Sequence, residues 1–373
     1  MSDSLHELIS SYDAAAPLER AWTIPAGWYF DERIAELERR NVFGGSWQVV
    51  GRAEQVAHAG QFITTEIAGE PIITVRGTDG TLRAFYNVCR HHAAAVVAEE
   101  AGCAQHLRCP YHGWTYGLDG SLKGAPEFAG VESFNAAQSG LVPVRVETWE
   151  SFVLVALDQS APALQKFLGE LAGRVAPLNV RKLRFAERRS YELNCNWKVY
   201  IDNYLDGGYH VPHLHKGLNS VLEYRDYTIE NGERFCVQAS PMRSSAEAES
   251  SVSATRAGDM AYYFWLYPNF MLNWYEGTMD TNLVLPLGPD HTLVIFDFYF
   301  AENWPVERVR QSIEVSDRIQ AEDVAICEAV QRGLRSRAYN AGRLSVRREA
   351  GEHLFHRLLA ADLKRGIERG AAV

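Results

Sequence analysis

From Trp47 to Leu157 the chain runs in short apolar and β-branched stretches, WQVVG, FITTEI, PIITVR, LRAFYNV and FVLVAL, each closed by Gly, Asp or Pro. Runs of this length predict a small antiparallel β-domain, with hairpin turns at Gly77–Gly80 and Gly117–Gly120. The preceding stretch, residues 28–41 (WYFDERIAELERRN), instead spaces its apolar residues at helical intervals until Gly44-Gly45 stops the pattern. Beyond Ser160-Ala161-Pro162, helical stretches mix with long strands at 282–287 (NLVLPL) and 292–300 (TLVIFDFYF), and helices follow from about Pro305. The expected fold class is α+β. A helical segment over 1–46 packs on the last domain, a β-domain spans 47–160, and an α+β domain fills 161–373. No internal repeat or low-complexity tract interrupts them.

Composition sharpens this picture. At 373 residues the chain exceeds the roughly 250–300 that one hydrophobic core supports, which agrees with two domains. The net charge of −10 argues against nucleic acid as a partner, since phosphate neutralisation needs clustered Lys and Arg. The six arginines between Arg332 and Arg348 are expected on a solvated helix and loop face. No stretch approaches the roughly 18 uninterrupted apolar residues of a membrane helix, and Met1–Ser11 lacks a basic region followed by an apolar core. A cytoplasmic protein is expected, with its six cysteines as buried thiols or metal ligands and not as bridges.

Two constellations carry metal chemistry. In the first, Cys89-Arg90-His91 and Cys109-Pro110-Tyr111-His112 each offer one thiolate and one imidazole. Two of each suit tetrahedral zinc or a [2Fe–2S] cluster with cysteines on one iron and histidines on the other. Structural zinc sites usually group Cys with Cys and His with His, so the mixed pairs favour the cluster. His92, His106 and Cys103 lie outside the pattern.

The motif CRHH…CPYHGW resembles the Rieske domain of ring-hydroxylating oxygenase α-subunits. The resemblance implies that Cys89 and Cys109 bind one iron of a Rieske [2Fe–2S] cluster and His91 and His112 the other. The second domain would then be a helix-grip-like catalytic domain with a central antiparallel sheet and C-terminal helices.

The second constellation is NCNWKVYIDNYLDGGYHVPHLHKG, residues 194–217, with His210, His213 and His215 inside six positions. Spacing alone does not choose the binding pair: His210 and His213 would share a helical face, while Pro212 interrupts the helix and lets His215 swing back. The family resemblance implies His210 and His215, leaving His213 beside the site. A two-histidine site for non-haem Fe(II) needs a carboxylate and open positions for O₂ and substrate. Asp323 fits, since it lies on the apolar stripe through Ile319, Ile326, Cys327 and Val330, where a carboxylate is costly unless paired or metal-bound. Glu322 and Glu328 are expected to point elsewhere, into solvent. The family commonly carries a carboxylate three residues before the first iron histidine, bridging the two metal sites of neighbouring subunits. This chain has Gly207 there. Asp206 is the first candidate for that role, and Glu276 is a second carboxylate that could approach the same junction.

Together the two sites imply a terminal oxygenase that inserts oxygen from O₂ into a C–H bond. Electrons would come from an NAD(P)H-dependent reductase, directly or through a ferredoxin, because no G-x-G-x-x-G dinucleotide fingerprint follows a strand. Family members pack head to tail as homotrimers, so a homotrimer is expected. WYFDERIAELERRNVFGGSWQVVG and DNYLDGGYHVPHLHKGL are more similar to choline monooxygenase and related quaternary-amine oxygenases than to naphthalene-type dioxygenases. Within the family, an aromatic hydroxylase or O-demethylase is the rival, and a Rieske electron carrier is the non-enzymatic one; the carrier would leave the second domain unexplained. For a quaternary-amine substrate, the aromatic stretch 262–275 supplies candidates for a partial cage, Trp265, Tyr267, Trp274 and Tyr275, although most aromatics on such strands pack a sheet.

Overall fold

The computed structural model describes residues 4–243 and 250–370. The outer ends of the first and last expected segments, residues 1–3 and 371–373, lie outside them. Two compact units emerge, Phe43–Leu164 and the rest of the chain.

In the smaller unit a seven-stranded antiparallel sheet runs in the order Gln48–Arg52, Phe152–Ala156, Pro143–Trp149, Leu82–Tyr86, Glu70–Arg76, Gln61–Ile67, Ala101–Cys103. A three-stranded sheet, Leu107–Arg108, Thr115–Tyr116 and Leu122–Gly124, carries the second cysteine loop. Both glycine turns form hairpins of one pattern: Gly77 and Gly117 N–H donate four residues on, to Thr81 and Ser121. Ile72, Ile73, Val75 and Val153–Val155 are buried, each side chain contributing roughly 1.5–3 kcal/mol. The Ser160-Ala161-Pro162 stretch is tied to this unit, because the Trp47 indole donates to the Pro162 carbonyl at 2.9 Å.

The larger unit is built on a second antiparallel sheet, ordered Leu183–Leu193, His291–Ala301, Thr278–Gly288, Phe270–Tyr275, Met260–Leu266, Phe235–Pro241, Thr228–Asn231. Its helices include Trp197–Leu205, Val306–Leu334 and Ala350–Gly370. The expected continuous helix over 28–41 is instead three pieces, a 3₁₀ turn Ala26–Tyr29, an α-helix Glu32–Glu38 and a wide turn Arg39–Phe43. Asp31 causes the break by capping, its side chain accepting from the Arg33 N–H. Glu38 at the helix end is buried and accepts from Lys198 Nζ at 2.6 Å and from the Trp197 indole at 2.8 Å. The NWK tripeptide therefore anchors this helix: Asn196 caps Trp197–Leu205, and the next two residues hold Glu38.

Two further expectations need correction. The inward stripe of Val306–Leu334 does not run through Ile326 and Val330, which are exposed; its buried residues are Ser312, Ile313, Val315, Ser316, Gln320, Cys327, Gln331 and Leu334, polar and apolar together. Its polar members find partners on neighbouring elements, the Tyr200 hydroxyl donating to Gln320 Oε1 at 2.9 Å and the Asn196 N–H to Gln331 Oε1 at 3.0 Å. Nor is the arginine run wholly solvated. Arg348 is buried, donates to the Tyr224 carbonyl at 3.1 Å and stacks 3.9 Å over the Tyr224 ring.

Candidate functional site

The two cysteine loops share one backbone design. The Cys89 N–H donates to the Ala94 carbonyl and the Ala93 N–H returns to Cys89; likewise Cys109 N–H donates to Trp114 and Gly113 N–H returns to Cys109. The fourth residue past each cysteine has positive φ, Ala93 at 61° and Gly113 at 71°. Buried Asn87 steadies the first loop, accepting from the N–H groups of Val96 and Val97 at 3.0 Å. Both cysteines are buried, the His91 and His112 rings lie 4.7 Å apart, and Trp114 stacks on His91 at 4.9 Å.

Nδ1 of His91 is buried and without a hydrogen-bond partner, an orphan that a bound metal explains. The Arg90 N–H donates to the Tyr116 hydroxyl at 3.0 Å, so that hydroxyl's own proton faces Cys89 Sγ at 3.4 Å. Burial opposes ionisation of Cys89, but the Tyr116 hydroxyl and the His91 N–H outweigh it and hold the thiol below its ordinary pKa. This donor set of two buried thiols and two adjacent imidazoles fits a two-iron cluster. His92 and His106 are exposed, and Cys103 is an exposed thiol.

In the larger unit the turn after Trp197–Leu205 and the helix Val306–Leu334 bring His210, His215 and Asp323 together, their ligand atoms all within 4.8 Å of one another. The two imidazoles are 4.8 Å apart. Each has its Nδ1 on a carboxylate: His210 on Asp206 at 2.7 Å, His215 on Glu322 at 2.6 Å. A carboxylate accepts only, so each Nδ1 carries a proton and Nε2 is the nitrogen each ring would offer to a metal. Nε2 of His215 lies 3.1 Å from Asp323 Oδ1, which also accepts from Asn203 Nδ2 at 2.8 Å. Burial works against the charge of His215, but Asp323 and then Glu322 outweigh it and raise its pKa. Glu322 therefore does not point idly into solvent, and Glu328 accepts from Asn194. The adjacent pair Glu322-Asp323 was the available signal, since on one helix only one of two neighbours can share the inward stripe while the other reaches the stripe's edge.

His213 is not at this cluster. It is exposed and lines a separate surface hollow with Glu223 and Arg243, because the short helix Val211–Leu214 turns it away from its two neighbours. Glu276 is exposed in the hairpin turn between Tyr275 and Thr278 and does not line the cavity at the cluster. Gly207 has φ of 68°, and a Cβ there would lie 2.1 Å from the Arg348 carbonyl oxygen. No carboxylate fits at that position, and Asp206, one residue earlier, reaches His210 instead.

A cavity of about 110 Å³ adjoins the cluster, lined by all three of its residues and by Tyr204, Tyr227, Tyr263, Tyr275 and Phe296 among others. Of the four expected cage residues only Tyr275 faces it. Trp274 sits on the opposite face by strand alternation, packing against Tyr262 at 5.9 Å. Trp265 is buried with its indole on the Pro268 carbonyl, and the Tyr267 hydroxyl donates to Asp362 at 2.7 Å. The cavity face follows the sheet register instead: Gln238, Tyr263, Asn273 and Asp280 are successive partners across four strands, and all four line the cavity.

This arrangement is that of a known family. Residues 46–135 match the Rieske [2Fe–2S] domain and residues 180–364 the ring hydroxylating alpha subunit catalytic domain. The chain is 39% identical to the chloroplastic choline monooxygenase of Arabidopsis thaliana, covering 96% of this chain and 87% of that protein. It is 34% identical to the carnitine monooxygenase oxygenase subunit of Escherichia coli strain K12, covering 98% and 100%. Among solved structures, the quaternary ammonium Rieske monooxygenase CntA superposes with a TM-score of 0.84 at 30% identity, over 97% of this chain and 99% of that one.

The chain therefore belongs to the ring-hydroxylating oxygenase α-subunits, the Rieske non-haem iron oxygenases. It is an oxidoreductase, the terminal oxygenase component, working with a Rieske [2Fe–2S] cluster, a mononuclear iron and O₂. Such a component implies a reductase partner and a small-molecule substrate. No described helix is long and apolar enough to cross a membrane.

Proposed function

We propose that this chain oxidises a small quaternary amine, hydroxylating or demethylating it at a carbon next to nitrogen. Cys89 and Cys109 hold one iron of the cluster and His91 and His112 the other, while His210, His215 and Asp323 hold the mononuclear iron. When bound, that iron supplies O₂ activation with electrons relayed from the cluster. Overall, R–H, O₂, two electrons and two protons give R–OH and water; an N–CH₂OH product then breaks its C–N bond, releasing formaldehyde, a proton and the tertiary amine. The electrons originate in NAD(P)H on the reductase. The chain's own groups position the centre: Asp206 and Glu322 fix the two imidazoles, and Asn203 steadies Asp323.

The observation that carries the substrate class is the cavity itself. At about 110 Å³ it is well below the roughly 300–1,000 Å³ typical of pockets for drug-sized ligands, so it favours a compact substrate over a fused-ring aromatic. A cation without N–H groups takes no hydrogen bond from its nitrogen, and the tyrosine rings supply π faces, each worth about 0.5–2 kcal/mol. The relatives named for choline, carnitine and quaternary ammonium oxidation agree with this. We further propose a homotrimer with Asp206 at the junction between one subunit's cluster and the next subunit's iron, the chain acting in the cytoplasm, where its free thiols stay reduced.

The test is substrate-dependent O₂ consumption with a reconstituted reductase, comparing trimethylammonium compounds with their uncharged tert-butyl isosteres. Turnover of the cations alone supports the reading. Equal handling of both, or turnover only of uncharged aromatics, would promote an aromatic hydroxylase.

A further inference from the structure

The tyrosines of the iron cavity turn their hydroxyls toward protein partners. Those of Tyr263 and Tyr275 hydrogen-bond each other at 2.7 Å. The Tyr204 hydroxyl donates to Asn273 Oδ1 at 2.7 Å and the Tyr227 hydroxyl to Gln238 Oε1 at 3.2 Å. A π face for a cation needs only the ring, which phenylalanine supplies as well, and a buried hydroxyl is costly unless paired. What a phenol adds to the ring is a removable hydrogen atom.

These rings form a route outward. The Tyr263 ring stacks on Tyr227, with centroids 6.3 Å and planes 16° apart. The Tyr227 N–H donates to the Tyr224 carbonyl at 3.4 Å, and the Arg348 guanidinium spans both rings, 5.9 Å from Tyr227 and 3.9 Å from Tyr224. Tyr275, Tyr263 and Tyr227 line the cavity beside His210, His215 and Asp323, whereas Tyr224 lines the surface hollow that holds His213. The route therefore begins at the iron site and ends at solvent.

We infer that Tyr275, Tyr263, Tyr227 and Tyr224 carry oxidising equivalents from the iron cavity to the surface when O₂ is activated with no substrate bound. In the coupled reaction R–H supplies two of the four electrons that reduce O₂. Without it, O₂, two electrons relayed through the cluster, two protons and the O–H hydrogens of two tyrosines give two waters and two neutral phenoxyl radicals. Each hop moves a net hydrogen atom inward: the inner phenoxyl becomes phenol again as the outer phenol becomes phenoxyl. Two low-molecular-weight thiols return the hydrogens at Tyr224 and leave as a disulfide. Burial holds the pKa of Tyr263 and Tyr227 well above the ordinary phenol value, so each carries the hydrogen that a hop requires. Arg348 at the outer end, and Arg256 with its guanidinium 5.0 Å from the Tyr275 ring at the inner end, disfavour a cationic radical and leave the neutral one. The inference rests on the iron site and on no particular substrate.

Hydrogen peroxide, which is O₂ already carrying the two electrons and two protons, starts the reaction without a reductase. The experiment mixes it with the intact holoprotein in the absence of substrate, freezes the mixture and records EPR. We expect a tyrosyl radical, identified by the change in its hyperfine pattern when the protein carries ring-deuterated tyrosine, and its loss when the mononuclear iron has been removed. Tyr227→Phe should cut the signal severalfold. Tyr224→Phe should leave iron content and Rieske absorbance intact, shorten the protein's half-life in peroxide severalfold, and move the oxidised residues found by peptide mass spectrometry from Tyr224 to the cavity tyrosines. Added thiol should prolong the half-life of the wild type and not that of Tyr224→Phe. No tyrosyl radical in the iron-loaded wild type would overturn the inference, as would a radical and a half-life that both variants leave unchanged. Metal analysis of the same samples keeps these outcomes distinct from a failure of the iron site. The wild-type measurement and the surface variant decide the matter even if Tyr227→Phe does not fold.

Discussion

Asp206 Oδ2 accepts from both the backbone N–H and the imidazole Nδ1 of His210, at 2.9 and 2.7 Å. One carboxylate thus fixes both the turn that carries the histidine and the tautomer of its ring. Glu322 does the second of these jobs for His215 from the opposite helix. Asp206→Asn and Glu322→Gln should each lower mononuclear iron affinity or turnover by about 10- to 100-fold, the usual cost of losing such a partner. Metal analysis and O₂ uptake check this, with the Rieske absorbance unchanged in both variants as the control. Full iron content and full turnover in Asp206→Asn would show that the carboxylate is dispensable.

At the other centre, the Tyr116 hydroxyl aims at Cys89 Sγ. Hydrogen bonds to cluster sulfurs stabilise the reduced, more negative state, so Tyr116→Phe should lower the cluster's midpoint potential. A neutral hydrogen bond of about 1 kcal/mol corresponds to about 40 mV for one electron. Spectroelectrochemical titration of the purified protein measures the shift, and a potential unchanged or raised contradicts the assignment.

Much of this was legible in the chain because both centres advertise themselves locally. Cys89, His91, Cys109 and His112 sit in two short loops whose residue types and spacing point to them, whereas His210 and His215 share one stretch with His213, and the family resemblance, not the spacing, chose that pair. Asp323 was placed on a helix stripe whose course differs in the structure: the inward face mixes Ser312, Ser316, Gln320 and Gln331 with Ile313, Val315, Cys327 and Leu334, and Ile326 and Val330 look outward. Asp323 nonetheless reaches His215, because it stands one turn before the buried Cys327. Legibility ended where sheet register decides. Strand Leu183–Leu193 is charged and half exposed at the sheet edge, so alternation did not reveal it. Without the pairing of Tyr263 with Asn273 and of Asn273 with Asp280, nothing in an aromatic-rich stretch says which rings face the cavity. Arg256 and Asp280 are brought to one cavity only by tertiary packing.

His213 separates the two possible histidine pairs. It is exposed, whereas His215 is 2% exposed and held by two carboxylates. His215→Ala should abolish turnover and deplete the mononuclear iron, and His213→Ala should retain turnover within about threefold, as expected of a surface change worth about 0.5 kcal/mol. Iron retained in His215→Ala and lost in His213→Ala would falsify the pair proposed above.

The last prediction concerns a buried group outside the cluster of His210, His215 and Asp323. Glu352 is 7% exposed and its nearest ionic partner, His356 Nε2, is 3.9 Å away, beyond hydrogen-bond distance. Asp202 takes that imidazole instead, at 3.0 Å, while also accepting from the Tyr29 hydroxyl at 2.6 Å. Burial first, then the charges of Asp202, Glu349 and Asp206, push the Glu352 pKa well above its ordinary 4.5. The folded protein thus holds this proton more tightly than the unfolded chain does. The sign follows from linkage: the favourable contribution is complete below the ordinary value of 4.5 and is lost as pH rises through the raised folded value, where a buried carboxylate must ionise beside other carboxylates. Glu352→Gln keeps the shape and removes the titration. Its melting temperature should match the wild type's at low pH and exceed it by a few degrees at alkaline pH, so that the difference grows with pH. Calorimetric scans of both proteins across that range measure it, and a difference that stays flat or shrinks as pH rises rules out a protonated Glu352 in the fold.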